Sequence, residues 1–225
     1  MPEGIILIII AFAAIAIISA IHGHKKEKER RAMLAAWASA SGLVFSEMKN
    51  SGFDNRFSLS CFRHGKRRYG YNLSHGERGG YQMIAGDYHY ETESRDSKGN
   101  TSTHHYHFSF ALFQPPFPLR QFALRKEGIF DKVTAVFGFD DIDFESAEFS
   151  KAFHVKCEDR RWAYDLVHPR AMELLLRHRE LRVEADRGCI AVFTGKRWGI
   201  PQFEHYANTA IELLDGIPIH AREIG

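Results

Sequence analysis

The stretch GIILIIIAFAAIAIISAIHGHKKEKERR, residues 4–31, constrains this chain more than any other feature. Its central part, Ile5 to Ile21, has 17 residues that carry no charge and one hydroxyl group, that of Ser19. As a helix, this run would be roughly 25 Å long, at the short end of what crosses a hydrocarbon core of about 30 Å. Its isoleucines favour membrane insertion, so the run predicts a single transmembrane helix.

The residues around the run favour a retained anchor over a cleaved signal peptide. The preceding Met-Pro-Glu-Gly has no Lys or Arg, whereas a signal peptide begins with a basic region. Cleavage after Ala20 would place Ile18 where a small residue is needed. A buried core helix fits less well, because no polar residues mark a solvent-facing side. We therefore predict a transmembrane anchor over residues 1–22 and a basic juxtamembrane helix over residues 23–42.

Basic residues follow the apolar run closely and set its predicted orientation. They are Lys25, Lys26, Lys28, Arg30 and Arg31. Basic residues resist translocation, which predicts an outside N-terminus and a cytoplasmic C-terminal part in a single-pass protein of the cell (inner) membrane. The cluster would also contact anionic headgroups of the lipid bilayer. A solvated helix face is the alternative, since Glu27 and Arg31 have the spacing of an ion pair within one helix.

The composition of the whole chain is that of a globular domain. Its 18 Phe residues can form a core, and its net charge of +2 gives no reason to expect nucleic acid as a partner. Cys61, Cys157 and Cys189 are odd in number and far apart, which predicts reduced, buried thiols. Ala16 and Ala20 form a pair of small residues in the apolar run, so a homo-oligomer or another protein partner stays open.

Alternating segments in the middle of the chain predict an antiparallel sheet. They are FSLSCF, YGYNLS, YQMIAGDYHYETE and TSTHHYHFSFALF, and polar turns such as HGERGG and RDSKGN separate them. The predicted fold class is α+β: an N-terminal transmembrane helix followed by an antiparallel sheet of meander and hairpins, packed with several helices. The cytoplasmic domain covers residues 43–225, with an optional sub-boundary near residue 150.

The last part of the chain adds further helices and a hairpin. The spacing of apolar residues predicts a helix over residues 127–138 and another that breaks at Pro169, where a new helix can begin. A hairpin is predicted with its turn at residues 186–188, and a final helix from Pro201 to Gly216.

Several short patterns resemble those of bacterial single-pass membrane proteins that carry a cytoplasmic domain of unknown function. They are the apolar run, the basic flank KKEKERR, the Ala-rich helix leading into GLVF, and the segments DIDFES, EFSKAFHV and LVHPRAMELLL. The resemblance spans most of the chain. It implies a membrane location and an α+β architecture, and it brings no catalytic residues to transfer.

The densest group of the 13 histidines lies in THHYHF, residues 103–108. Alternation along a strand places His105 and His107 on one face. A hairpin turn at RDSKGN would bring His89 and Glu91 of the preceding strand beside them. Imidazole and carboxylate groups in reach of one another would suit zinc or a similar ion. The alternative is the polar outer face of a half-solvated sheet, which needs no cofactor.

Two charged clusters offer weaker sites. The segment RHGKRRYGY would form an anionic-ligand patch, for lipid headgroups or single-stranded nucleic acid, from Arg63, Lys66, Arg67 and Arg68. The acidic segment FDDIDFE lacks the spacing of a calcium loop, so exposed capping and solvation explain it better. The sequence has no Walker, nucleophile-elbow, zinc-protease or dinucleotide motif, which counts against the common enzyme classes.

The sequence therefore predicts a membrane-anchored cytoplasmic domain that binds or organises something and is not an enzyme. A metal-dependent enzyme built on the histidine-rich hairpin is the first alternative. A protein that recognises anionic lipid or nucleic acid is the second, although nucleic acid is the less expected partner. No catalytic residues and no cofactor are assigned.

Overall fold

The computed structural model describes residues 2–127 and 138–223. Its helices are α1 (Pro2–Ala40), α2 (Ala147–Ala152), α3 (Arg160–Leu166), α4 (Pro169–Leu176), α5 (Ile200–Gly216) and α6 (Ile219–Arg222). Its strands are β1 (Val44–Ser46), β2 (Lys66–Arg78), β3 (Tyr81–Arg95), β4 (Thr101–Gln114), β5 (Phe122–Lys126), β6 (Phe153–Cys157), β7 (Arg182–Asp186) and β8 (Cys189–Phe193). Two single-turn 3-10 helices, Phe53–Asn55 and Ser60–Phe62, lie between β1 and β2.

The eight strands form one antiparallel sheet in the order β1-β2-β3-β4-β8-β7-β5-β6. The long strands β2, β3 and β4 make a meander, as three of the four alternating segments predict, and helices pack beside it. The fourth segment, FSLSCF, was wrongly predicted as a strand, because it contains the 3-10 helix Ser60–Phe62. The predicted α+β class with an antiparallel sheet is therefore confirmed. Strands from both sides of residue 150 take part in this sheet. The domain limits given above stay predictions.

Local turn chemistry explains the β3–β4 hairpin. The Asp96 carboxylate accepts hydrogen bonds from the backbone N–H groups of Lys98 and Asn100, at 2.9 and 2.8 Å. Gly99 has φ +85°, a left-handed conformation that costs glycine little. This turn sets a continuous pairing from Gln82 opposite Gln114 to Arg95 opposite Thr101.

The sheet carries a hydrophobic core on each face. The helices cover one face, where Trp37 of α1 packs against Phe203 of α5, with ring centroids 5.2 Å apart. The segment with the two 3-10 helices covers part of the other face, and Phe62 lies there between Tyr88 and Phe110. All three cysteines are free and buried, as their number and spacing predict.

Helix α1 joins the apolar run and the basic segment in one helix of 39 residues. Across residues 2–127 and 138–223, no helix is long and apolar enough to cross a membrane. The predicted transmembrane helix over residues 1–22 is therefore wrong, and the single-pass topology that depended on it loses its support. The apolar part of α1 is short: Ile5 to Ile21 are 17 residues, or roughly 25 Å against about 30 Å of hydrocarbon, and the charged segment of the same helix follows from Lys25.

The C-terminal half of α1 belongs to the globular domain. Leu34, Trp37 and Ala38 are buried in the core, and the helix ends before Gly42, whose φ is +70°. The predicted break at Pro169, the hairpin between β7 and β8 and the final helix are also confirmed. Of the helix predicted over residues 127–138, residues 128–137 lie outside the described residues.

Candidate functional site

A groove of about 870 Å³ lies at one end of the β2–β3–β4 meander. Strand β8 pairs with β4 only at residues 110–113, so the histidine-bearing part of β4 lies beyond that pairing. The groove brings most of the two sequence-predicted sites together. Its lining includes Lys49, Asp54, Lys66, Arg67, Arg68, Tyr69, His89, Glu91, His105 and His107.

Three of the predicted metal ligands converge in this groove. His105 Nδ1 lies 3.3 Å from His89 Nε2 and 3.3 Å from Glu91 Oε1, and the last two atoms are 4.0 Å apart. A tetrahedral zinc ion with bonds of about 2.0–2.1 Å holds its ligand atoms about 3.3 Å from one another. The three atoms therefore have nearly the separation that one such ion needs.

The strand register places these side chains together. Glu91 of β3 is directly opposite His105 of β4, and His89 is opposite His107. Because side chains two residues apart share a face, all four lie on the same side of the hairpin. This is the arrangement that the predicted turn at RDSKGN implies.

The backbone of Arg67 orients the His89 ring. The Nδ1–H group of His89 donates to the Arg67 carbonyl oxygen at 3.2 Å, which leaves the Nε2 lone pair directed at the other two ligand atoms. Arg67 has φ +48°, and the pairing of β2 with β3 shifts register between Lys66 and Tyr69. This bulge aims the carbonyl at the ring.

The three candidate ligands differ in how far their side chains are exposed to solvent. His89 is 3% exposed, and this burial lowers its pKa, so the neutral imidazole that metals require is favoured. The Glu91 side chain is 11% exposed, and its second oxygen lies 3.5 Å from Arg67 Nη1. The His105 side chain is 58% exposed, so an ion can reach the cluster from the groove.

His107, the fourth predicted ligand, has another partner. Its Nδ1 lies 2.8 Å from the hydroxyl group of Tyr71, and its ring centroid is 4.6 Å from that of His89. Burial lowers the pKa of His107 as well. The structure thus groups His89, Glu91 and His105 and leaves His107 beside them. A fourth coordination position would face the groove.

The predicted anionic-ligand patch is largely neutralised by acidic partners. Lys66 pairs with Glu93 at 2.9 Å, Arg67 with Glu91 at 3.5 Å and Arg68 with Asp54 at 2.9 Å. The fourth member, Arg63, is exposed, and its carbonyl oxygen accepts a hydrogen bond from Arg68. These pairs leave little net positive charge for an anion.

The basic residues of α1 are divided between the surface and the interior. Lys25, Lys26 and Lys28 are exposed, and Arg31 lies 3.5 Å from Glu47. Arg30 points into the protein instead, where its side chain is only 13% exposed. The sequence prediction that Arg30 lies at the membrane surface is therefore wrong, because the sequence shows the charge of the residue but not which face of the helix the protein covers.

Sequence reasoning missed two buried polar groups. Asp87 is fully buried within β3, and Glu184 is buried in β7. Asp87 interrupts the largely apolar stretch MIAGDYHY, and Glu184 lies between the apolar residues Val183 and Ala185. A charged residue in such a place is a signal for an internal partner. Glu184 accepts hydrogen bonds from the Ser60 hydroxyl at 2.8 Å and the Cys61 N–H at 3.0 Å.

Comparison with known proteins yields a similarity of fold. No family model matches the chain, and no curated protein matches it. Among solved structures, the chain is similar to the mycobacterial trehalose monomycolate transport factor A, TtfA, with a TM-score of 0.60 and 10% sequence identity. The alignment covers 84% of this chain and 96% of that one. This distant likeness is the extent of the support for the family resemblance described above.

Proposed function

We propose that this protein is a binding module whose groove holds a divalent metal ion of the zinc type. The observation that carries the proposal is the convergence of His89 Nε2, Glu91 Oε1 and His105 Nδ1, which all lie within 4.8 Å of one another. Two nitrogens and a carboxylate oxygen form a donor set typical of zinc sites.

The hydrogen-bonding capacity of the three groups supports a cation between them. His89 uses its Nδ1–H group for the Arg67 carbonyl, so its Nε2 can only accept when the ring is neutral. The ionised Glu91 carboxylate can also only accept. A proton on His105 Nδ1 can serve one of these two acceptors well, which leaves the other without a donor in a largely buried place. A metal ion would satisfy all three atoms at once.

Binding is preferred to catalysis on two grounds. The similar solved structure is named a transport factor rather than an enzyme. Three cations of the groove, Lys66, Arg67 and Arg68, are paired with carboxylates, so they are not arranged to stabilise developing negative charge on a substrate. The ion would then anchor a ligand or fix the shape of the hairpin.

Zinc titration of the metal-stripped protein tests the proposal. Isothermal calorimetry and elemental analysis should find one zinc ion per chain, and His105→Gln should weaken binding by at least about tenfold. His104→Gln is the matched control, because His104 is exposed and hydrogen-bonds to Ser94 on the opposite face of the same hairpin. It should bind zinc as the wild type does.

The same titration shows how the proposal fails. Absence of zinc binding, or equal losses in His105→Gln and His104→Gln, would contradict a site at this cluster. Binding should also weaken as the pH falls, because protons compete for the same nitrogen and oxygen lone pairs.

A metal-dependent enzyme is the second candidate function. The observation that favours it is the number of ligands, since three protein ligands and an open position facing the groove are typical of catalytic zinc sites. Zinc-dependent hydrolysis of an activated ester, lost in His105→Gln and kept in His104→Gln, would support catalysis over binding alone. Zinc binding with no such rate would support the binding module.

A further inference from the structure

One edge of β4 lacks a neighbouring strand over residues 101–108. Strand β3 pairs with β4 along its whole length. On the other side, β8 pairs only with residues 110–113, and beyond β8 the Ser109 N–H group donates to the Lys196 carbonyl oxygen at 3.1 Å. Within the described residues, no strand pairs with this side of residues 101–108. This free edge of β4 is as long as a typical strand.

The direction of the backbone groups on β4 follows from the hydrogen bonds at its two ends. The N–H group of Ser109 points away from β3, towards Lys196. In the turn, the N–H group of Asp96 donates to the Asn100 carbonyl oxygen at 3.0 Å, so Asn100 faces β3. Successive residues of a strand alternate in direction, and the pairing of β3 with β4 has no register shift. The residues with outward N–H and C=O groups are therefore Thr101, Thr103, His105 and His107.

The side chains of the free edge do not block the approach of another strand. Residues 101–107 are exposed, and the segment TSTHHYHF contains no Lys, Arg, Asp, Glu or Pro. Natural proteins usually protect a free edge with charged residues or proline, because its unpaired backbone groups attract other strands. The lack of such protection indicates an edge that another strand covers.

Two cavities lie beside the free edge, and His107 lines both of them. The groove with the candidate metal ligands lies on one face of β4. An aromatic cavity of about 260 Å³ lies on the face of Tyr106 and Phe108, and the Phe193 ring is 5.6 Å from that of Phe108. Residues 194–195, which follow β8, also line the aromatic cavity, so it lies where β8 ends. A strand added along the free edge would direct alternate side chains to the face of the groove and to the face of the aromatic cavity.

We propose that the free edge of β4 binds an extended peptide segment of a partner protein, with one aromatic side chain of the peptide in the aromatic cavity. Main-chain hydrogen bonds to the outward residues would hold the peptide, and the cavity would select the side chain. The space is equivalent to roughly nine water molecules at about 30 Å³ each, which suits one aromatic ring. Such a peptide would be the ligand of the binding module, so its assignment rests on the function proposed above, although its binding needs no metal ion.

The geometry of the edge favours a separate peptide over a second copy of this chain. In an antiparallel pair of two β4 edges, residues 194–196 of each chain block the line of the edge beyond Ser109. The second copy could then enter only as far as its own turn at residues 96–100, which would lie next to the aromatic cavity. That turn contains Lys98 and Gly99 and no aromatic residue. A separate peptide can pair with the whole edge and fill the cavity.

Selection of peptides from a display library of random decapeptides, against the full chain in EDTA to exclude metals, tests the proposal. Enriched peptides should alternate polar and apolar residues and carry an aromatic residue. The most enriched peptide is then synthesised and titrated by calorimetry, and the same peptide with serine in place of the aromatic residue should bind more weakly.

Thr103→Pro should weaken binding of the enriched peptide by about tenfold or more. Proline removes one outward N–H donor, and it is tolerated on an edge because the pairing with β3 does not use that donor. Thr103→Val is the matched control, since it keeps the N–H group and a branched side chain at an exposed position. It should change peptide binding by less than about twofold.

Amide hydrogen exchange of the wild-type protein keeps the test decisive if Thr103→Pro fails to fold. The peptide should slow exchange at the outward amides of Thr103, His105 and His107, whereas those of Ser102 and His104 face β3 and should change little.

Four results would overturn the proposal: no enrichment of alternating peptides, equal affinity of Thr103→Pro and Thr103→Val, unchanged exchange at the outward amides, or a dimer that Thr103→Pro abolishes. The last result would identify a second copy of the chain as the occupant of the edge. Because EDTA excludes metal, failure of peptide binding would leave zinc binding at the hairpin unaffected, and absence of zinc binding would leave the peptide result valid.

Discussion

The guanidinium group of Arg30 in α1 donates hydrogen bonds to both carboxylate oxygens of Asp87 in β3. Nε lies 2.9 Å from Oδ2, and Nη2 lies 2.6 Å from Oδ1. Ser109 and Asn72 donate to the same carboxylate, at 2.6 and 3.1 Å. Arg30 Nη1 also donates to the carbonyl oxygen of Trp198 at 2.6 Å. One side chain thus connects α1, the centre of the sheet and the segment that precedes α5.

Replacement of Arg30 by Met should therefore lower the free energy of unfolding by about 3–5 kcal/mol, because it leaves the buried Asp87 charge without its counterion. Lys25→Met is the matched control. Lys25 is exposed and lies 4.0 Å from Glu29, so its loss should cost less than about 0.5 kcal/mol. Urea unfolding measures both. The double variant Arg30→Met/Asp87→Asn should cost less than the sum of its single changes, and strict additivity would contradict the pairing.

Gly65→Ala should be far more disruptive than Gly80→Ala. Both glycines have left-handed backbones, with φ +71° and +80°, so alanine pays a similar conformational cost of about 1 kcal/mol at each. A Cβ atom at Gly65 would also collide with the carbonyl oxygen of Glu91 and the ring of Tyr90, whereas the space around Gly80 is open. We expect Gly65→Ala to cost at least about 2 kcal/mol and to weaken zinc binding. Urea unfolding and zinc titration check this, and equal effects of the two changes would refute it.

Phe108→Ala should lower the free energy of unfolding by about 3–5 kcal/mol. The ring is 6% exposed and packs against Tyr88 and Phe193, with centroids 5.4 and 5.6 Å away. Tyr106→Ala, two residues earlier on the same face, removes a ring from a residue that is 44% exposed and should cost less than about 1 kcal/mol. Thermal or urea unfolding separates the two. A small loss at Phe108 would show that this face is not core.

The histidines at and beside the candidate site should make the protein less stable in mild acid. Burial lowers the pKa of His89 and of His107 in the folded state below the ordinary value of 6.5. The unfolded chain therefore binds more protons just below pH 6.5, and the free energy of unfolding falls as the pH falls through this range. The negative charge of Glu91 raises the pKa of His89 and so opposes the effect of burial, whereas His105 and Lys49 lower this pKa further.

Urea unfolding of wild type and His107→Gln between about pH 7.5 and 5.5 isolates one histidine. The raised pKa of Glu184 acts in the opposite sense, so the difference between the two proteins is more informative than either curve. His107→Gln should show the smaller loss of stability on acidification. Parallel curves would mean that His107 has no role in the pH dependence.

The hairpin that carries the candidate site could be predicted from the sequence for a simple physical reason. Side chains alternate along a strand, and the turn residues of RDSKGN fix which positions of β3 and β4 face each other. These two local rules are enough to place His89 and Glu91 near His105. They say nothing of Tyr71, which comes from a third strand and binds His107.

Long-range partners explain what the sequence could not predict. Arg30 has the same local surroundings as its basic neighbours, and only the distant Asp87 draws it into the interior. The apolar run has the composition of a membrane segment, but no helix of the described residues is long and apolar enough to cross a membrane.

Because the pairing of β3 with β4 is unbroken, the geometry of the candidate metal cluster depends on whether the number of residues in the connecting turn is even or odd. Insertion of one residue in the turn at 96–100, if the strands took it up by sliding, would move His105 to the opposite face while Glu91 stayed in place. Insertion of two residues would restore the face but put different residues opposite Glu91. The candidate ligands therefore depend on the length of a loop that contributes no atom to them, and any related chain that keeps the cluster must conserve that length or compensate with a bulge.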